Sequence, residues 1–341
     1  MRIKISLAVA AMVLAGFNTP LSAKTLKVQS SSTAGDWAHR YMTEKEGPKL
    51  SKLTNGEISI DVLPTKAIVP HRETIDAVAN GILDGDLNAV AYFSGRDPAF
   101  AIMGDLIAGY DTPEQSRRFC SEGGGKEILQ KLYDKYTKGK VHVIGCGPYS
   151  REALVSRVPV RSVAELSGVK IRSPEGLAAE VFKRAGATPV SLPFSEVYTS
   201  LEKGIVDAAD ASAYVNNEAS GMHKVAKFPI FPGIHSMAVL QFIVNKGVWD
   251  KLTKDQQAKI EAWYTTAYDN MLKDAAEEDL RLVARDKAGS DITVVDWPQA
   301  ERDKFRAIAV GAWDDFAKKS PLAREALDAH LAYMKKIGLL K

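Results

Sequence analysis

The segment from Gly168 to Asp210 constrains the fold more than any other part of the chain. It contains short apolar stretches suited to strands at residues 169–172 and 188–192, and a third after Gly204. Between them lie two stretches whose apolar residues recur at helical spacing, and glycines stand where each helix would end. This order predicts a β-α-β-α-β unit with parallel strands, so the fold class is α/β.

Arg172 is the last residue of the first strand predicted in this unit. In open α/β sheets ligands bind beside the carboxyl ends of the strands, and a guanidinium offers a planar fork for a carboxylate. We therefore predict that Arg172 anchors an anion; the alternative is a surface arginine in an ion pair. Ser173 and Pro174 suit the cap and first turn of the helix that follows.

The amino terminus has the pattern of a secretory signal. Arg2 and Lys4 precede an apolar run from Leu7 to Phe17, and Pro20 to Ala23 suit a cleavage region. The run is shorter than the roughly 20 residues that span a bilayer, so residues 1–23 are predicted to be a signal peptide, with an uncleaved anchor as the alternative. No later segment is long and apolar enough to cross a membrane, and we expect a soluble protein in the periplasm.

The charge of the chain is nearly balanced. The formal net charge of +3 falls to about +1 without residues 1–23, and cations and anions are interspersed, which argues against nucleic acid or an anionic membrane surface as the partner. Roughly 318 mature residues exceed what one core usually organises, so two lobes are expected. For Cys120 and Cys146, the only cysteines, we expect two buried free thiols, with a disulfide as the alternative.

The second half of the chain contains a helical pattern of unusual length. Thr253 and Gln256 form a capping-box signature, and no proline interrupts the pattern up to about Lys287. Some 34 residues would span about 50 Å, which is wider than one lobe, so the helix should lie across both. We predict that the first lobe contains residues 24–147 and about 237–265, and that the second contains about 148–236 and 266–341.

Four blocks of the chain, taken in order, resemble the extracytoplasmic solute-binding proteins of tripartite ATP-independent periplasmic (TRAP) transporters, the DctP family. The blocks are Glu165 to Pro174, Gly186 to Pro189, Phe194 to Asp207, and Val244 to Trp249. The resemblance covers nearly the whole mature chain. It implies a two-lobed periplasmic-binding-protein-like fold with a ligand cleft between the lobes and a long helix bracing both. It also implies a small organic acid held by an arginine, at the position of Arg172, and delivery to a membrane permease driven by an ion gradient.

Further candidate ligand-binding residues come from the resemblance and from positions near strand ends. Arg151 lies near a second arginine position of many relatives, although a gapless alignment puts Glu152 there, and Arg72 matches another polar position of the cleft. For both arginines the alternative is a solvated cation. Tyr92 and Phe93 follow a predicted strand and suit the wall of a pocket, or else the core. The remaining candidates are Tyr149, Phe194, Asp210, Tyr214, Asn217, His235 and Ser236.

The turn from Pro232 to Ser236 resembles one in a branch of the family that takes up small aromatic or 2-oxo acids. The β-α-β-α-β segment described above ends at Asp207-Ala-Ala-Asp210, where the family often has Asp-Gly and a later asparagine or glutamate. This departure leaves the polar contacts opposite the arginine open.

The chain has no motif typical of a catalytic site. Gly123 to Lys126 lacks the spacing of a phosphate-binding loop, and the six histidines are dispersed without the spacing of metal ligands. We expect no enzymatic activity, no cofactor and no metal, and a monomer rather than an oligomer. A periplasmic binding protein of an ATP-driven transporter and a secreted lyase or hydrolase are the alternatives.

Overall fold

The computed structural model describes residues 23–234 and 236–340, so the predicted signal peptide and His235 lie outside the described residues, apart from Ala23. The strands of the described part are β1 Lys24–Ser30, β2 Ile58–Leu63, β3 Gly85–Ala89, β4 Val141–Gly147, β5 Val155–Ser156, β6 Lys170–Ser173, β7 Thr188–Ser191, β8 Ala208–Ala209 and β9 Leu240–Asn245. Its helices are α1 Trp37–Arg40, α2 Gly47–Leu53, α3 Thr74–Ala79, α4 Pro98–Gly104, α5 Pro113–Glu122, α6 Gly125–Thr137, α7 Leu177–Arg184, α8 Val197–Glu202, α9 Tyr214–Ala219, α10 Met222–Val225, α11 Lys246–Trp249, α12 Lys254–Gly289, α13 Gln299–Ala317 and α14 Pro321–Lys336. A π-helical stretch, Tyr41–Glu46, joins α1 to α2, and short 3-10 turns occupy Val90–Phe93, Ala164–Leu166 and Phe194–Glu196.

The strands form two sheets. The first has the order β2-β1-β3-β9-β4, with β1 parallel to β2 and β3, and with β9 antiparallel to β3 and β4. The second has the order β5-β8-β6-β7, in which β6 is parallel to β7 and β8. The predicted β-α-β-α-β unit is confirmed as β6-α7-β7-α8-β8.

The predicted start of α7 is wrong. Ser173 is still part of β6, where it pairs with Ser191, and the helix begins at Leu177. Gly176 adopts a φ of 96°, a left-handed conformation that glycine tolerates best, and its turn separates the strand from the helix. Residues 174–176, between the end of β6 and the start of α7, form a loop close to Arg172 in the chain.

The long helix α12 is continuous over 36 residues, about 54 Å at 1.5 Å per residue. Its capping box forms as predicted between Thr253 and Gln256. Near its start the indole of Trp263 donates a hydrogen bond to the carbonyl of Glu46 (2.8 Å), on the side of the first sheet. Near its end Asp279 accepts one from the amide of Val215 (2.7 Å), on the side of the second sheet. The helix therefore braces both parts of the molecule, and the predicted fold class is confirmed.

The last two helices connect the two sides in a second way. α13 packs on α7 and α4, whereas α14 packs on α4 and α6, which flank the first sheet. The predicted lobe boundaries stay a prediction, and the packing of α14 favours the first lobe for that helix. Among the described residues, no helix combines the length and the apolar character needed to cross a membrane.

The expectation of two free thiols is wrong. Cys120 on α5 and Cys146 on β4 form a disulfide, with their Cα atoms 5.8 Å apart. That separation lies within the range a disulfide requires, and it arises because α5 packs directly on β4. The fold brings the two thiols together although 26 residues separate them along the chain.

His330 on α14 is a buried histidine held in an apolar contact. Its ring stacks on Phe119, with the ring centroids 3.7 Å apart, and its Nδ1 lies 2.8 Å from the hydroxyl of Tyr110. Burial lowers the pKa of His330 from 6.5 to about 3, because the charged form would lose its hydration. The folded protein therefore keeps this imidazole neutral in mildly acidic solution.

We expect His330 to lower the stability of the protein in mild acid. Between pH 7 and pH 5.5 the unfolded chain protonates this imidazole and the folded protein does not, so His330 should reduce the free energy of unfolding by about 1 kcal/mol. Guanidinium denaturation of wild type and His330→Gln at both pH values isolates this contribution, since the other titrating groups are shared. On going from pH 7 to pH 5.5, the free energy of unfolding of wild type should fall by about 1 kcal/mol more than that of the variant. An equal fall in both proteins would contradict the lowered pKa of His330.

Candidate functional site

A cavity lies between the two sheets, where the carboxyl ends of parallel strands meet. Ser31 and Ser32 follow β1, Ala91 and Tyr92 follow β3, and Arg172 lies near the end of β6; all of them line the cavity. The segments after α4, β4, β7 and β8, the loop after β6 with the start of α7, one residue of α9 and the start of β9 also line it. This is the place in open α/β sheets where ligands bind.

Arg172 is buried in this cavity, with 2% of its surface exposed. Its Nε donates to the carbonyl of Leu192 (2.9 Å), its Nη1 donates to the carbonyl of Asp210 (2.6 Å), and its Nη2 lies 3.5 Å from the hydroxyl of Tyr92. All three acceptors are uncharged, and no described carboxylate lies within 4.0 Å of the guanidinium. A guanidinium has five N–H donors, so its fork keeps donors for a further partner. Arg172 is thus a fixed, buried cation without a counter-charge in direct contact.

Three aromatic side chains give the cavity flat walls. Tyr92, Tyr149 and Phe194 line it, and each belongs to a different segment of the chain. The hydroxyl of Tyr92 accepts a hydrogen bond from the amide of Phe194 (3.0 Å), and the ring of Tyr92 packs edge-on against His71 (4.5 Å between centroids). The hydroxyl of Tyr149 pairs with that of Ser212 (2.5 Å), and Phe194 has no polar group on its ring. The three rings therefore leave largely apolar faces to contact a ligand.

Three carboxylates, Asp105, Glu152 and Asp210, form a compact group that we call the acidic triad. Their facing oxygens all lie within 4.8 Å of one another. The hydroxyl of Ser236 lies 2.7 Å from Asp105, 3.0 Å from Glu152 and 3.1 Å from Asp210, but it has one hydrogen to donate. Asp105 and Glu152 line the cavity, and Asp210 is covered.

Burial controls the protonation of the acidic triad. It raises the pKa of Asp105 to about 7, with a further contribution from the neighbouring charge of Asp210. It also raises the pKa of Glu152 well above its ordinary range and that of Asp210 to about 6, while the positive charge of Arg172 opposes both shifts. Arg172 and the triad are therefore close enough to influence each other.

The acidic triad is the group of described carboxylates whose spacing would suit a metal ion. Carboxylate oxygens are ligands that calcium and magnesium prefer. The expectation that the protein uses no metal and no cofactor therefore stays a prediction.

The structure brings six of the predicted site residues together. Tyr92, Tyr149, Phe194 and Arg172 line the cavity, and Asp210 and Ser236 lie at the acidic triad. Arg72 lies at the edge, where it forms an ion pair with Glu175 (2.8 Å), itself a lining residue.

Four other predicted residues contact different parts of the protein. Phe93 packs in the core against Phe100 (6.0 Å between centroids), on the opposite side of the turn from Tyr92. Arg151 donates to the carbonyl of Asp111 and faces a separate groove. Tyr214 donates to Asp286 on α12 (2.6 Å). Asn217 holds the loop after β8 by accepting from the amide of Ser212 (3.1 Å), and His235 lies outside the described residues.

Sequence reasoning missed Asp105 and Glu152 as site residues. Glu152 carried a signal, because it occupies the position where a gapless alignment with relatives puts an arginine. Asp105 follows α4, and nothing in the surrounding sequence marks it. Only the fold brings it beside Ser236, which lies more than 130 residues later.

Contacts across the cavity hold the two sides together. Arg72 forms an ion pair with Glu175, and Lys66 forms one with Glu196 (3.2 Å). The hydroxyl of Tyr92 accepts a hydrogen bond from the amide of Phe194. In each case the first residue follows a strand of the first sheet and its partner follows a strand of the second. The cleft is therefore closed in this structure.

Comparison with known proteins gives a family match over most of the chain. The model of the bacterial extracellular solute-binding proteins, family 7 (DctP), matches residues 32–320. A monocarboxylate 2-oxoacid-binding periplasmic protein from Nostoc is 26% identical over 86% of this chain and 80% of its own length.

Solved structures of similar proteins have the same architecture. A TRAP periplasmic solute-binding protein from Rhodobacter sphaeroides, in an open form without ligand, is 41% identical, with a TM-score of 0.75 over 93% of this chain and 99% of that one. A TRAP transporter solute-binding protein from Bordetella bronchiseptica, solved with copurified calcium and picolinate, is 23% identical, with a TM-score of 0.79 over 92% of each chain. The similarity to the Bordetella protein, at 23% identity, shows a shared fold only.

Proposed function

Since this chain belongs to the bacterial extracellular solute-binding proteins of family 7, the receptors of TRAP transporters, we propose that it captures a small organic carboxylate in the cavity around Arg172. The observation that carries the proposal is the buried guanidinium, which is held by two main-chain carbonyls and has no carboxylate in contact among the described residues. A buried charge without a partner is costly, and a ligand carboxylate would supply the partner.

Capture would proceed by closure of the cleft. In an open form Arg172 and the rings of Tyr92 and Phe194 would be hydrated and separated. A carboxylate on Arg172 would favour the closed form, in which Tyr92 and Phe194 meet. The ligand can shift the two-state population by no more than its differential affinity for the closed form.

The walls of the cavity support an acid with a flat or apolar body. The faces of Tyr92, Tyr149 and Phe194 suit a planar group behind the carboxylate. The relative from Nostoc is named for 2-oxo acids, and the protein from Bordetella was solved with the aromatic acid picolinate. Aromatic acids and 2-oxo acids are therefore the classes we propose.

A thermal-shift panel tests the proposal. We expect benzoate-like acids and aryl or aliphatic 2-oxo acids to raise the unfolding temperature, by an amount that grows with ligand concentration relative to its dissociation constant. Uncharged amides of the same acids are the matched controls and should have no effect. Stabilisation by dicarboxylates or sugar acids alone would contradict the ligand class, and no response to any acid would contradict the function.

We also propose where the protein acts and what becomes of its ligand. Residues 1–23 would direct export to the periplasm, and the closed, loaded monomer would deliver its ligand to a membrane permease driven by an ion gradient. The protein would return its ligand unchanged. Mass spectrometry of each acid after prolonged incubation tests this last point, and a converted product would favour an enzyme.

A further inference from the structure

Acidic side chains outnumber basic ones among the described residues that line the cavity. Among the described lining residues Arg172 is the only cation. Glu175 also lines the cavity, but its carboxylate is paired with Arg72. Asp105 and Glu152, with Asp210 behind them, form the acidic triad, and no cation of the described residues lies within 4.0 Å of it. A simple monocarboxylate bound to Arg172 would bring no positive group to the acidic triad.

The described residues supply few hydrogen-bond donors to the acidic triad. Ser236 supplies one hydroxyl hydrogen, and the amide of Met237 donates to Asp105 (3.3 Å). Asp210 is buried, with 1% of its surface exposed, and its Oδ1 atom has no hydrogen-bond partner among the described residues. Buried carboxylate oxygens are normally satisfied, so the triad either takes up protons or receives donors from a ligand.

Arg172 and the acidic triad are joined through one residue. The guanidinium Nη1 lies 2.6 Å from the main-chain carbonyl of Asp210, whose side chain belongs to the triad. The cation and the carboxylates are thus adjacent parts of one cavity rather than two separate sites. A small molecule that contacts both needs a negative group for the guanidinium and a positive group for the triad.

We propose that the preferred ligand is a zwitterionic acid, whose carboxylate binds Arg172 and whose neighbouring ammonium group binds the acidic triad. This inference rests on the proposed function: it keeps the carboxylate on Arg172 and the flat or apolar body, and it replaces the 2-oxo group by an ammonium group. An ammonium group carries three N–H donors and a positive charge, and hydrogen bonds between charged groups are the stronger ones. A 2-oxo oxygen at the same place only accepts hydrogen bonds, so it would face acceptors.

Matched sets of acids on one carbon skeleton test this inference on the wild-type protein. One set is phenylalanine, phenyllactate, phenylpyruvate and 3-phenylpropionate; the other is alanine, lactate, pyruvate and propionate. By titration calorimetry we expect the amino acid to bind at least about tenfold more tightly than the unsubstituted and 2-oxo acids of the better-binding set.

Two variants locate the source of this preference. In Glu152→Gln, and independently in Asp105→Asn, the ratio of the affinity for the amino acid to the affinity for the unsubstituted acid should fall from at least about tenfold to near one. Asp250→Asn is the matched control, because Asp250 lies at the surface and pairs with Lys246. It should retain the full preference.

Three results would overturn the inference. If the 2-oxo or unsubstituted acid binds as tightly as the amino acid, the triad does not recognise an ammonium group. If chelator abolishes acid binding and calcium alone restores it, the triad holds a metal ion instead. If no acid of either set or of the wider panel binds, the proposed function fails and the inference fails with it; acids that bind without this preference defeat only the inference.

Discussion

Replacing Arg172 by lysine is expected to weaken ligand binding by at least about 2 kcal/mol, a loss of roughly thirtyfold. Lysine keeps the positive charge but lacks the planar fork. It cannot hold the carbonyls of Leu192 and Asp210 and also present two parallel donors to a carboxylate. Titration calorimetry with an acid identified from the panel measures the change.

Arg151→Lys is the matched control for this experiment. Its guanidinium contacts the carbonyl of Asp111 and faces a groove separate from the cavity around Arg172. The same substitution there should leave affinity close to that of wild type. Near-native affinity in Arg172→Lys would remove the anchor role, and a comparable loss at Arg151 would mean that the ligand lies elsewhere.

Proline at position 267 is expected to destabilise the protein by about 3 kcal/mol or more. Ala267 is fully buried in the middle of α12, where the ring would remove one main-chain hydrogen bond and clash with the preceding turn. Because the two halves of α12 contact different sides of the molecule, a kink there should also impair closure. Denaturation with guanidinium and ligand calorimetry measure the two effects.

Lys254→Pro is the control for a proline in the same helix. Lys254 is the first residue of α12, where the amide has no partner within the helix and proline is well tolerated. This variant should unfold close to wild type. If Ala267→Pro were equally stable, the continuity of α12 would not matter to the fold.

The features that the sequence predicted well are those encoded over short distances. The β-α-β-α-β unit repeats its pattern within 43 residues, and Arg172 takes its place in the cavity from its position at the end of one strand. The helix α12 was predictable because Thr253 and Gln256 mark its start and no proline follows before its end. Each of these inferences needs only neighbouring residues.

The features that escaped prediction depend on contacts between distant segments. The disulfide needed the packing of α5 on β4, and the acidic triad needed residues from the end of α4, the segment after β4 and the end of β8. Aromatic residues show the same limit. Tyr92 and Phe93 are adjacent in the sequence, yet one lines the cavity and the other lies in the core, because successive side chains of a 3-10 turn leave it on different sides.

The place of β9 in the first sheet sets a condition on the order in which the protein can fold. β9 separates β3 from β4 and is the neighbour of both, yet it ends at Asn245, about 100 residues after β4. Until that residue has been synthesised, β3 has one unpaired edge and β4 has no strand partner at all. Such edges invite association with other chains. Pairings between distant segments also form slowly. The first sheet therefore cannot be completed during synthesis until nearly three-quarters of the chain exists, and truncated chains that end before β9 should aggregate rather than form a stable half-protein.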